Sequence, residues 1–446
     1  MMNRVHTNKD VSTTRRVAII GAGVSGLSSA YHLHEDHDVT VFEKADYVGG
    51  HTDTHHFEID GNEVRVDSGF IIFCPQYYPH FSTMLENLGV ESQPTDMSFS
   101  ARNDDTGLLY NSTNPNKLFC DRRNLFRPRF WRMIYDILRF YRQSTEVLED
   151  NYSRSESVSE YLNANNYSRS FKHDHLLPMI SALWSTNTTQ VEKFPIRHLV
   201  DFFSRHGLMK IIGRPQWKVI KNGSSSYVEA LLSHLKCNFL IGDAVTRVER
   251  TDNDVKIHTD SGGMYEFDAV ILATHADVSL ALLDNPTEAE ADILGSILFE
   301  RNHVVVHTDE SIMSTNRQSW ASWNTEVPTV GNENSLNCCT ANYWMNSLQR
   351  LPISTNVFTT LNGYKKISRA SILTERHYSH PIFTAKSVSA QSRLPEINGG
   401  QNTYYVGAYW GWGFHEDGAK SAFESCKRLR KDFEKRTFEQ RGLSDD

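Results

Sequence analysis

The stretch VAIIGAGVSGLSSAYHL, Val17 to Leu33, decides the fold. Its first four residues form an apolar run rich in β-branched side chains, which is typical of a buried parallel strand. Residues 21–26, GAGVSG, then fit the pattern GxGxxG. In that pattern Gly21 permits a tight turn, Gly23 lets a pyrophosphate approach the backbone, and Gly26 allows the helix to pack closely on the strand. The stretch therefore predicts a strand, a turn and a helix whose N-terminus binds phosphate.

A second strand is predicted soon after this helix, at Asp38 to Glu43 (DVTVFE). It ends in an acid 22 positions after Gly21. This is close to the offset of about 20 residues at which a carboxylate reaches a ribose hydroxyl. The unit thus predicts a dinucleotide site with Glu43 on the ribose. The alternative is a tight connection from strand to helix that binds no ligand.

Composition limits the function classes. A chain of 446 residues with 39% apolar and 22% charged residues can form two domains with real cores. Its net charge of −8 argues against a nucleic-acid partner. The start of the chain is polar and no apolar run approaches about 20 residues. We therefore expect a cytoplasmic protein, soluble or peripheral on the inner face of the membrane.

No metal site is expected. The six cysteines lack zinc-ligand spacing and favour free thiols. The twin histidines His55-His56 and the HDH run at 173–175 have no third ligand at suitable spacing. We interpret both histidine groups as solvated surface.

The residues after Glu43 indicate which dinucleotide binds. The chain continues EKADYVGGHTDTHHFEIDGNEVRVDSGFIIF, with Gly49-Gly50 six residues after the acid and DSGF at 67–70. This continuation resembles the flavin-binding signature of the amine-oxidase and phytoene (carotenoid) desaturase superfamily. The resemblance implies FAD, with the glycine pair beside the pyrophosphate. A plain β-turn at Gly49-Gly50 is the alternative.

Three later segments resemble the remaining flavin-binding elements of that superfamily. They are FLIGDAVTRV (239–248), DAVILAT (268–274) and YYVGAYWGWGFHEDGAKSA (404–422). The resemblance implies that Val245 contacts the adenine and that the last helix points its N-terminus at the flavin ring. His275 departs from the superfamily, which often has Gly or Pro there. The predicted cofactor contacts are Gly21, Gly23, Val24, Ser25, Gly26, Glu43, Lys44, Gly50, His51, Thr52, Gly69, Phe70, Val245, Ala273, Thr274, Gly407, His415, Glu416 and Gly418.

Longer motifs narrow the resemblance. GGHTDT, VDSGFIIF, FRPRFWRM, RPQWKVIKNGSSSYVEAL, VVVHTDESIM, SWASWN, YWMNSLQ and GFHEDG occur across residues 17–418. Together they resemble a bacterial group of FAD-dependent amine oxidoreductases, often encoded beside cyclopropane-fatty-acid-synthase-like methyltransferases. The resemblance implies modification of fatty acyl chains, with a lipid methyltransferase as a candidate partner.

These placements predict an α/β fold of the amine-oxidase type. A discontinuous Rossmann-type FAD-binding domain is expected at 15–75, 213–280 and 397–438. An α+β substrate domain is expected at 76–212 and 281–396, with helices in its first part and mixed strands in its second.

Candidate catalytic groups lie among the aromatic residues, because a flavin supplies the redox chemistry and the protein supplies a dry, oriented pocket. Aromatic clusters occur at 320–324, 343–345 and 409–414. We predict Tyr409, Trp412 and His415 beside the flavin. Ordinary core packing is the alternative for each aromatic residue, and capping of the last helix is the alternative for Glu416. The lysine common in amine oxidases is not recognisable.

A basic, aromatic segment at 121–143 (DRRNLFRPRFWRMIYDILRFYRQ) predicts an amphipathic helix. Phe130, Ile134, Ile137, Leu138 and Tyr141 share a helical spacing, and most arginines fall elsewhere. Such helices bind membrane surfaces. The alternative is a helix of the substrate domain packed on its neighbours.

The leading hypothesis for function is an FAD-dependent oxidoreductase that abstracts hydride from an apolar substrate and desaturates or oxidises a fatty acyl or phospholipid chain. Three alternatives stay open. They are an amine oxidase, a redox-neutral flavin-dependent double-bond isomerase, and a flavin-bearing partner of a lipid methyltransferase.

Overall fold

The computed structural model describes residues 14–149, 152–153, 155–251, 254–327, 339–363 and 367–440, with side chains to 438. Cys338 and the first thirteen residues lie outside this range. The expectation of free thiols for Cys338 and the expectation drawn from the polar start of the chain therefore concern residues that are not described. The strands are β1 (Arg16–Ile20), β2 (Asp38–Glu43), β3 (Thr54–Ile59), β4 (Asn62–Asp67), β5 (Ile72–Phe73), β6 (Ser92–Pro94), β7 (Phe99–Asn103), β8 (Leu108–Asn111), β9 (Lys218–Ile220), β10 (Asn238–Ile241), β11 (Val245–Arg250), β12 (Val255–Thr259), β13 (Met264–Phe267), β14 (Ala269–Leu272), β15 (Leu298–His307), β16 (Trp323–Val327), β17 (Thr340–Trp344), β18 (Phe358–Leu361), β19 (Ile372–Ile382) and β20 (Thr403–Tyr405).

Helices alternate with these strands. They are α1 (Val24–Leu33), α2 (Pro79–Asn87), α3 (Pro115–Leu118), α4 (Pro128–Gln143), α5 (Val158–Ala164), α6 (Arg169–Phe171), α7 (Leu177–Trp184), α8 (Thr188–Glu192), α9 (Ile196–Arg205), α10 (Ser225–His234), α11 (Ala276–Leu282), α12 (Glu288–Leu294), α13 (Met345–Leu348), α14 (Ala385–Gln391), α15 (Leu394–Ile397) and α16 (His415–Gln440).

The first layer is a five-stranded parallel sheet in the order β10-β2-β1-β14-β20. The sequence of strand β1 is continuously apolar because both faces of the strand are buried. Val17 and Ile19 pack with α1, α2, α10 and α16, while Ala18 and Ile20 pack with the β11-β12-β13 sheet, α11 and α12. The predicted α/β fold is confirmed.

The second layer is a seven-stranded sheet in the order β19-β15-β18-β17-β16-β7-β8. Its strands pair antiparallel except for β16 and β7, which run parallel. A helical cluster from α4 to α9 packs beside it around Phe140, Tyr161 and Phe202. A small sheet, β5-β9-β6, lies between the two layers.

Three segments assigned to the substrate domain pack instead with the first layer. Helix α2 buries Phe81, Met84 and Leu85 in the core below the parallel sheet. Helix α12 and the 385–397 segment join α11 on the opposite face, where Ile293, Leu294, Ala390 and Ile397 are buried. The predicted boundaries at 76, 281 and 396 are therefore displaced, because short amphipathic helices carry no local signal of which sheet they cover.

The interpretation of residues 173–175 as solvated surface holds for His173, which is exposed, and is wrong for Asp174 and His175. Asp174 is fully buried, where its carboxylate accepts hydrogen bonds from Asn103 (2.7 Å) and Arg129 (2.6 Å). The ring of His175 is also buried and its Nδ1 lies 2.8 Å from the Tyr110 hydroxyl. The motif therefore joins the helical cluster to β7 and β8. No group of three or more potential metal ligands occurs among the residues that the structure describes.

A buried ion pair fastens α12 to the parallel sheet. The Arg250 guanidinium donates two hydrogen bonds to the Glu290 carboxylate, at 2.5 and 2.9 Å, and both side chains are almost fully buried. The Tyr405 hydroxyl donates to the same carboxylate. Glu290 thus holds together β11, β20 and its own helix.

We expect Glu290→Ala to lower the free energy of unfolding by about 3–5 kcal/mol, because it leaves a buried guanidinium without its counter-ion. Urea denaturation followed by circular dichroism measures this change. The exposed Glu288→Ala, in the same helix, is the control and is expected to change stability by less than about 0.5 kcal/mol. A loss of below 1 kcal/mol for Glu290→Ala would contradict the role assigned to the pair.

Candidate active site

A cavity of about 710 Å³ runs between the two layers and is lined by residues of both. One end lies over the carboxyl ends of β1, β2 and β14, where ligands bind in open α/β sheets. The other end lies against the seven-stranded sheet and α7. The two ends differ in chemistry.

The first end has the geometry of a dinucleotide site. The N–H groups at the start of α1 face this end, and Gly23 is its N-cap residue in an extended conformation. A Cβ added at Gly23 would meet nothing within 4 Å, so open space lies beside its backbone. The Gly49-Gly50 segment lies against Gly23 through a parallel bridge. The two glycine motifs therefore meet at one place, as the flavin interpretation requires.

Glu43 ends β2 beside this space. Its carboxylate accepts hydrogen bonds from the backbone N–H groups of Ala22 (2.8 Å) and Ala45 (2.9 Å). These bonds orient the carboxylate at the edge of the cavity, where it can also accept from a ribose hydroxyl. Sixteen of the predicted site residues line the cavity: Gly21, Gly23, Val24, Ser25, Glu43, Lys44, Gly50, His51, Gly69, Phe70, Val245, Ala273, Thr274, Gly407, Tyr409 and His415.

His415 begins α16 and faces the cavity. Its ring stacks on Phe70 with centroids 3.4 Å apart, and its Nε2 lies 3.1 Å from Thr52 Oγ1 and 3.3 Å from the Tyr227 hydroxyl. Burial lowers the pKa of His415 to about 3. The imidazole is therefore neutral near pH 7 and acts as a hydrogen-bonding group, not as a cation.

Three predicted cofactor contacts do not line the cavity and instead take part in packing or hydrogen bonding within the protein. Gly26 does not line the cavity, and a Cβ there would lie 1.8 Å from the Gly21 carbonyl oxygen, so it permits close packing. Gly418 allows α16 to approach Val24 and Ser25 of α1. Thr52 lies behind His415 and hydrogen-bonds it and Tyr227.

The prediction of Glu416 as a cofactor contact is wrong. Its carboxylate accepts hydrogen bonds from the backbone N–H groups of His80 (3.2 Å) and Phe81 (3.0 Å). It therefore caps the N-terminus of α2, where unpaired N–H groups attract an anion. The sequence could not show this, because α2 lies more than 300 residues earlier.

The prediction of Trp412 as a catalytic residue is also wrong. Its indole packs against His198, Phe202 and His206 in the helical cluster and does not line the cavity. The turn that decides this orientation is held by Asp417, whose carboxylate accepts from the N–H groups of Trp412 (3.1 Å) and Phe414 (2.9 Å). Phe414, two residues later, lines the cavity in its place.

The second end of the cavity is an apolar compartment. It is lined by side chains from both layers and from the helical cluster: Ile71, Met97, Ala182, Leu183, Leu208, Trp217, Val304, Trp323, Tyr343 and Leu361. Of the aromatic clusters predicted from the sequence, Trp323 and Tyr343 line it, whereas Trp320 and Trp344 belong to a separate small core. Among the lining residues that the structure describes, the carboxylates are Glu43 and Asp277. Both lie outside this compartment, at the end of β2 and at the exposed start of α11.

Strand β19 supplies a polar cluster that sequence reasoning missed. The His51 ring lies 5.0 Å from the Tyr378 ring and 5.3 Å from the His380 ring. Burial lowers the pKa of both imidazoles, that of His380 to about 4, so both are neutral near pH 7. The Tyr378 hydroxyl contacts Ser68 Oγ (2.6 Å) and donates to Asp53 (3.1 Å). In the sequence, the strand-favouring side chains at alternate positions of 372–382 were the feature that could have predicted this strand.

The residues present fit FAD. Open space beside Gly23, the two apposed glycine segments, the acid at the end of β2 and Val245 at the start of β11 form one continuous wall. Fold and site together define a flavoprotein with a Rossmann-type domain. Residues 24–347 match the family model described as flavin-containing amine oxidoreductase, and the chain belongs to that family. Its cofactor is FAD, and by family it is an FAD-dependent oxidoreductase.

Similar curated proteins match over short segments. A probable flavin-containing monooxygenase from Arabidopsis thaliana is 59% identical over 44 residues, 10% of this chain and 8% of that protein. The flavin-dependent L-tryptophan oxidase RebO from Lentzea aerocolonigenes is 34% identical over 77 residues, 17% of this chain and 16% of that protein. An L-amino-acid oxidase from Bothrops jararacussu is 47% identical over 51 residues, 11% and 10% of the two chains. The chain therefore spans less than a fifth of the length of these relatives.

Solved structures match over almost the whole chain. The CLA-producing fatty acid isomerase from P. acnes has a TM-score of 0.65 at 17% identity, covering 95% of this chain and 99% of that chain. Cyclohexylamine oxidase from Brevibacterium oxydans IH-35A has a TM-score of 0.65 at 15% identity, covering 94% and 100%. At these identities the likeness shows the fold alone, and it confirms the predicted amine-oxidase-like architecture.

Proposed function

We propose that this protein takes a hydride from a fatty acyl chain, free or in a phospholipid, and leaves a carbon–carbon double bond. The observation that carries the proposal is the apolar compartment, whose lining offers aliphatic and aromatic side chains and no carboxylate in the part of the chain that the structure describes. An alkyl chain gains about 0.8 kcal/mol for each methylene buried in such a compartment. A charged amine would lack a counter-ion there and would lose hydration.

The residues of the protein position the substrate and keep water out of the cavity. FAD, when bound, would supply the hydride acceptor, while the protein orients the reacting carbon and excludes water. Desaturation also releases a proton from the neighbouring carbon. The neutral imidazoles of His51 and His380 line the cavity and can accept it, and Tyr378 and Ser68 connect the same region to the Asp53 carboxylate.

Anaerobic mixing tests the substrate class. We expect phospholipids or free fatty acids with unsaturated, methylated or cyclopropane chains to bleach the flavin absorbance. Mass spectrometry of the lipid should then show the loss of two hydrogens. Lipid conversion without bleaching and without loss of mass would support a redox-neutral isomerase, the activity named for the P. acnes structural neighbour. If no lipid bleaches the flavin and no lipid is converted, the proposal is contradicted. That result would favour a non-catalytic partner of a lipid methyltransferase.

Amine oxidation is the second candidate, because one feature of the compartment favours it. The rings of Trp323 and Tyr343 meet almost at a right angle, at 83°, with centroids 4.9 Å apart. Two perpendicular aromatic faces can hold a cation through cation–π attraction. Bleaching by cyclohexylamine or putrescine, with no bleaching by any lipid, would select this function over the first.

We expect Ala182→Phe to weaken the binding of a long-chain substrate by about ten- to fiftyfold, because the larger side chain excludes two or three methylenes. Ala182 lies in the wall of the compartment on α7 and is almost fully buried. The measurement is KM in steady-state turnover, with bound flavin per protein as a check on the holoenzyme. Ala182→Leu gives a milder form if the phenylalanine overpacks the core. Ala291→Phe, on the exposed side of α12, is the matched control. An unchanged KM for both Ala182 variants would show that the acyl chain of the substrate binds elsewhere.

A further inference from the structure

Large apolar side chains are exposed along one side of α4 and on the loop after α9. Trp131, Tyr135 and Leu138 follow one another at helical spacing and are all exposed. Phe126, in the turn before the helix, is 86% exposed. Ile211 and Ile212, in the loop after α9, are 64% and 89% exposed. Because soluble surfaces seldom expose contiguous large apolar groups, this set marks a contact with an apolar phase or partner.

The loop after α9 lies close to the C-terminal end of α4. The Ser144 hydroxyl at the end of α4 donates to the Met209 sulfur at 3.5 Å, two residues before the exposed isoleucines. Met209 and Tyr141 pack into the same cluster. We call the six residues Phe126, Trp131, Tyr135, Leu138, Ile211 and Ile212 the apolar face.

The opposite side of α4 anchors it. Phe130, Met133 and Phe140 are fully buried in the core of the second layer. Of the five residues predicted to share one side of this helix, four pack inward and Leu138 lies on the apolar face; the four are Phe130, Ile134, Ile137 and Tyr141. The helix is therefore held by one side while the other side stays exposed, although the Trp131 ring also lies 5.4 Å from the Phe119 ring.

Charge around the apolar face selects its partner. Arg122, Arg123, Arg132, Arg142, Lys210 and Arg214 are exposed around it. The two carboxylates of the 121–143 segment are buried and paired with arginines: Asp121 with Arg123, and Asp136 with Arg132 and Arg139. The outward charge is thus positive on a chain whose net charge is −8. Basic residues at an anionic membrane each strengthen binding by about fivefold.

We propose that the apolar face, with its basic surround, binds the surface of a bilayer that contains anionic phospholipid. Aromatic and aliphatic side chains would enter the interface between headgroups and acyl chains while the arginines contact phosphates. No helix of the described residues is long and apolar enough to span a membrane, so the contact is peripheral. Leu208, which precedes the exposed loop by three positions, lines the apolar compartment. The proposal does not depend on which reaction the compartment performs.

Vesicle co-sedimentation of the FAD-loaded, full-length protein tests the proposal without any turnover. We expect binding to vesicles of phosphatidylcholine with phosphatidylglycerol and much weaker binding to phosphatidylcholine alone. The double variant Ile211→Glu with Ile212→Glu is expected to weaken binding by at least about tenfold, since it removes two inserted side chains and adds two repelled charges. Arg142→Glu is expected to weaken binding and to reduce its dependence on salt.

Matched controls locate the effect. Met264→Glu changes an equally exposed apolar residue on β13, and Lys386→Glu changes an exposed cation on α14. Both are expected to bind vesicles as the wild type does. No binding to anionic vesicles, equal binding to neutral ones, or equal losses in the controls would each overturn the proposal. A dimer in sedimentation equilibrium that the Ile211 and Ile212 substitutions dissociate would overturn it in favour of a second copy of this chain.

Discussion

Replacing Gly23 with valine is expected to give a folded protein that no longer takes up FAD. Gly23 has a φ of −78° and a ψ of −175°, which any residue adopts, and an added Cβ meets no atom within 4 Å. The fold therefore tolerates the side chain. The space it fills, however, is where the cofactor pyrophosphate approaches the N–H groups of α1.

The expected loss of affinity is at least about a hundredfold, because two charge-assisted hydrogen bonds contribute about 1.5–3 kcal/mol each. Flavin absorbance per protein after purification, and titration of the apoprotein with FAD, measure it. Gly26→Ala is the informative counterpart, since its Cβ would lie 1.8 Å from the Gly21 oxygen and should disrupt the fold itself. Normal flavin content in folded Gly23→Val protein would show that the pyrophosphate lies elsewhere.

The second large effect expected is a steep loss of stability in mild acid. Burial lowers the pKa of His198 to about 3 and those of His175, His206 and His307 to about 4. A histidine with a lowered folded-state pKa stabilises the protein above its unfolded value of about 6.5, and this contribution is lost as the pH falls toward the folded value. Unfolding takes up these protons, so acid favours it.

Two buried acids act in the opposite direction. Burial raises the pKa of Asp67 to about 6 and that of Asp417 to about 7, so the folded state holds their protons at pH values where the unfolded state releases them. Between about pH 6 and pH 4 these four histidines outnumber the two acids, and the lowered pKa values of His51, His380 and His415 act in the same direction. The net uptake of at least about two protons lowers the free energy of unfolding by at least about 2.7 kcal/mol per pH unit.

Urea unfolding of the holoprotein between pH 6 and pH 4 measures this slope. We expect His198→Phe to reduce the slope by about 1.4 kcal/mol per pH unit, because one titrating group is removed while stacking on Phe383 is retained. His56→Phe, at an exposed position, is the control. If His198→Phe leaves the slope unchanged, the His198 imidazole of the wild-type protein is already protonated in the folded state.

The parts that the sequence predicts well depend on neighbours in the chain. Strand β1, the turn after it, α1 and the acid at Glu43 lie within 30 residues, and each carries its own local reason for its conformation. The resemblance to flavoproteins extended this to Val245 and His415. The apolar compartment had no such signal, because Met97, Ala182, Leu208, Val304 and Leu361 are single apolar residues that meet only when both layers have formed.

Orientation at a turn was equally hidden. Trp412 and Phe414 are both aromatic, are separated by one glycine and both pack against Phe202, yet of the two only Phe414 also lines the cavity. The backbone hydrogen bonds to Asp417 decide between them. Neither composition nor spacing reports such bonds, and the same holds for the cap that Glu416 gives to α2.

The strand order of the parallel sheet also dictates when the protein can mature. Strand β1 lies between β2 and β14, and β14 follows it by about 250 residues, while β20 and α16 come last of all. At a synthesis rate of about 5–20 residues per second, β1 waits on the order of 10–50 seconds for its second neighbour. Its apolar edge is exposed to chaperones and to misfolding throughout that interval. Because His415 begins α16, the wall of the FAD site is complete only after a further 143 residues beyond the end of β14 have been synthesised.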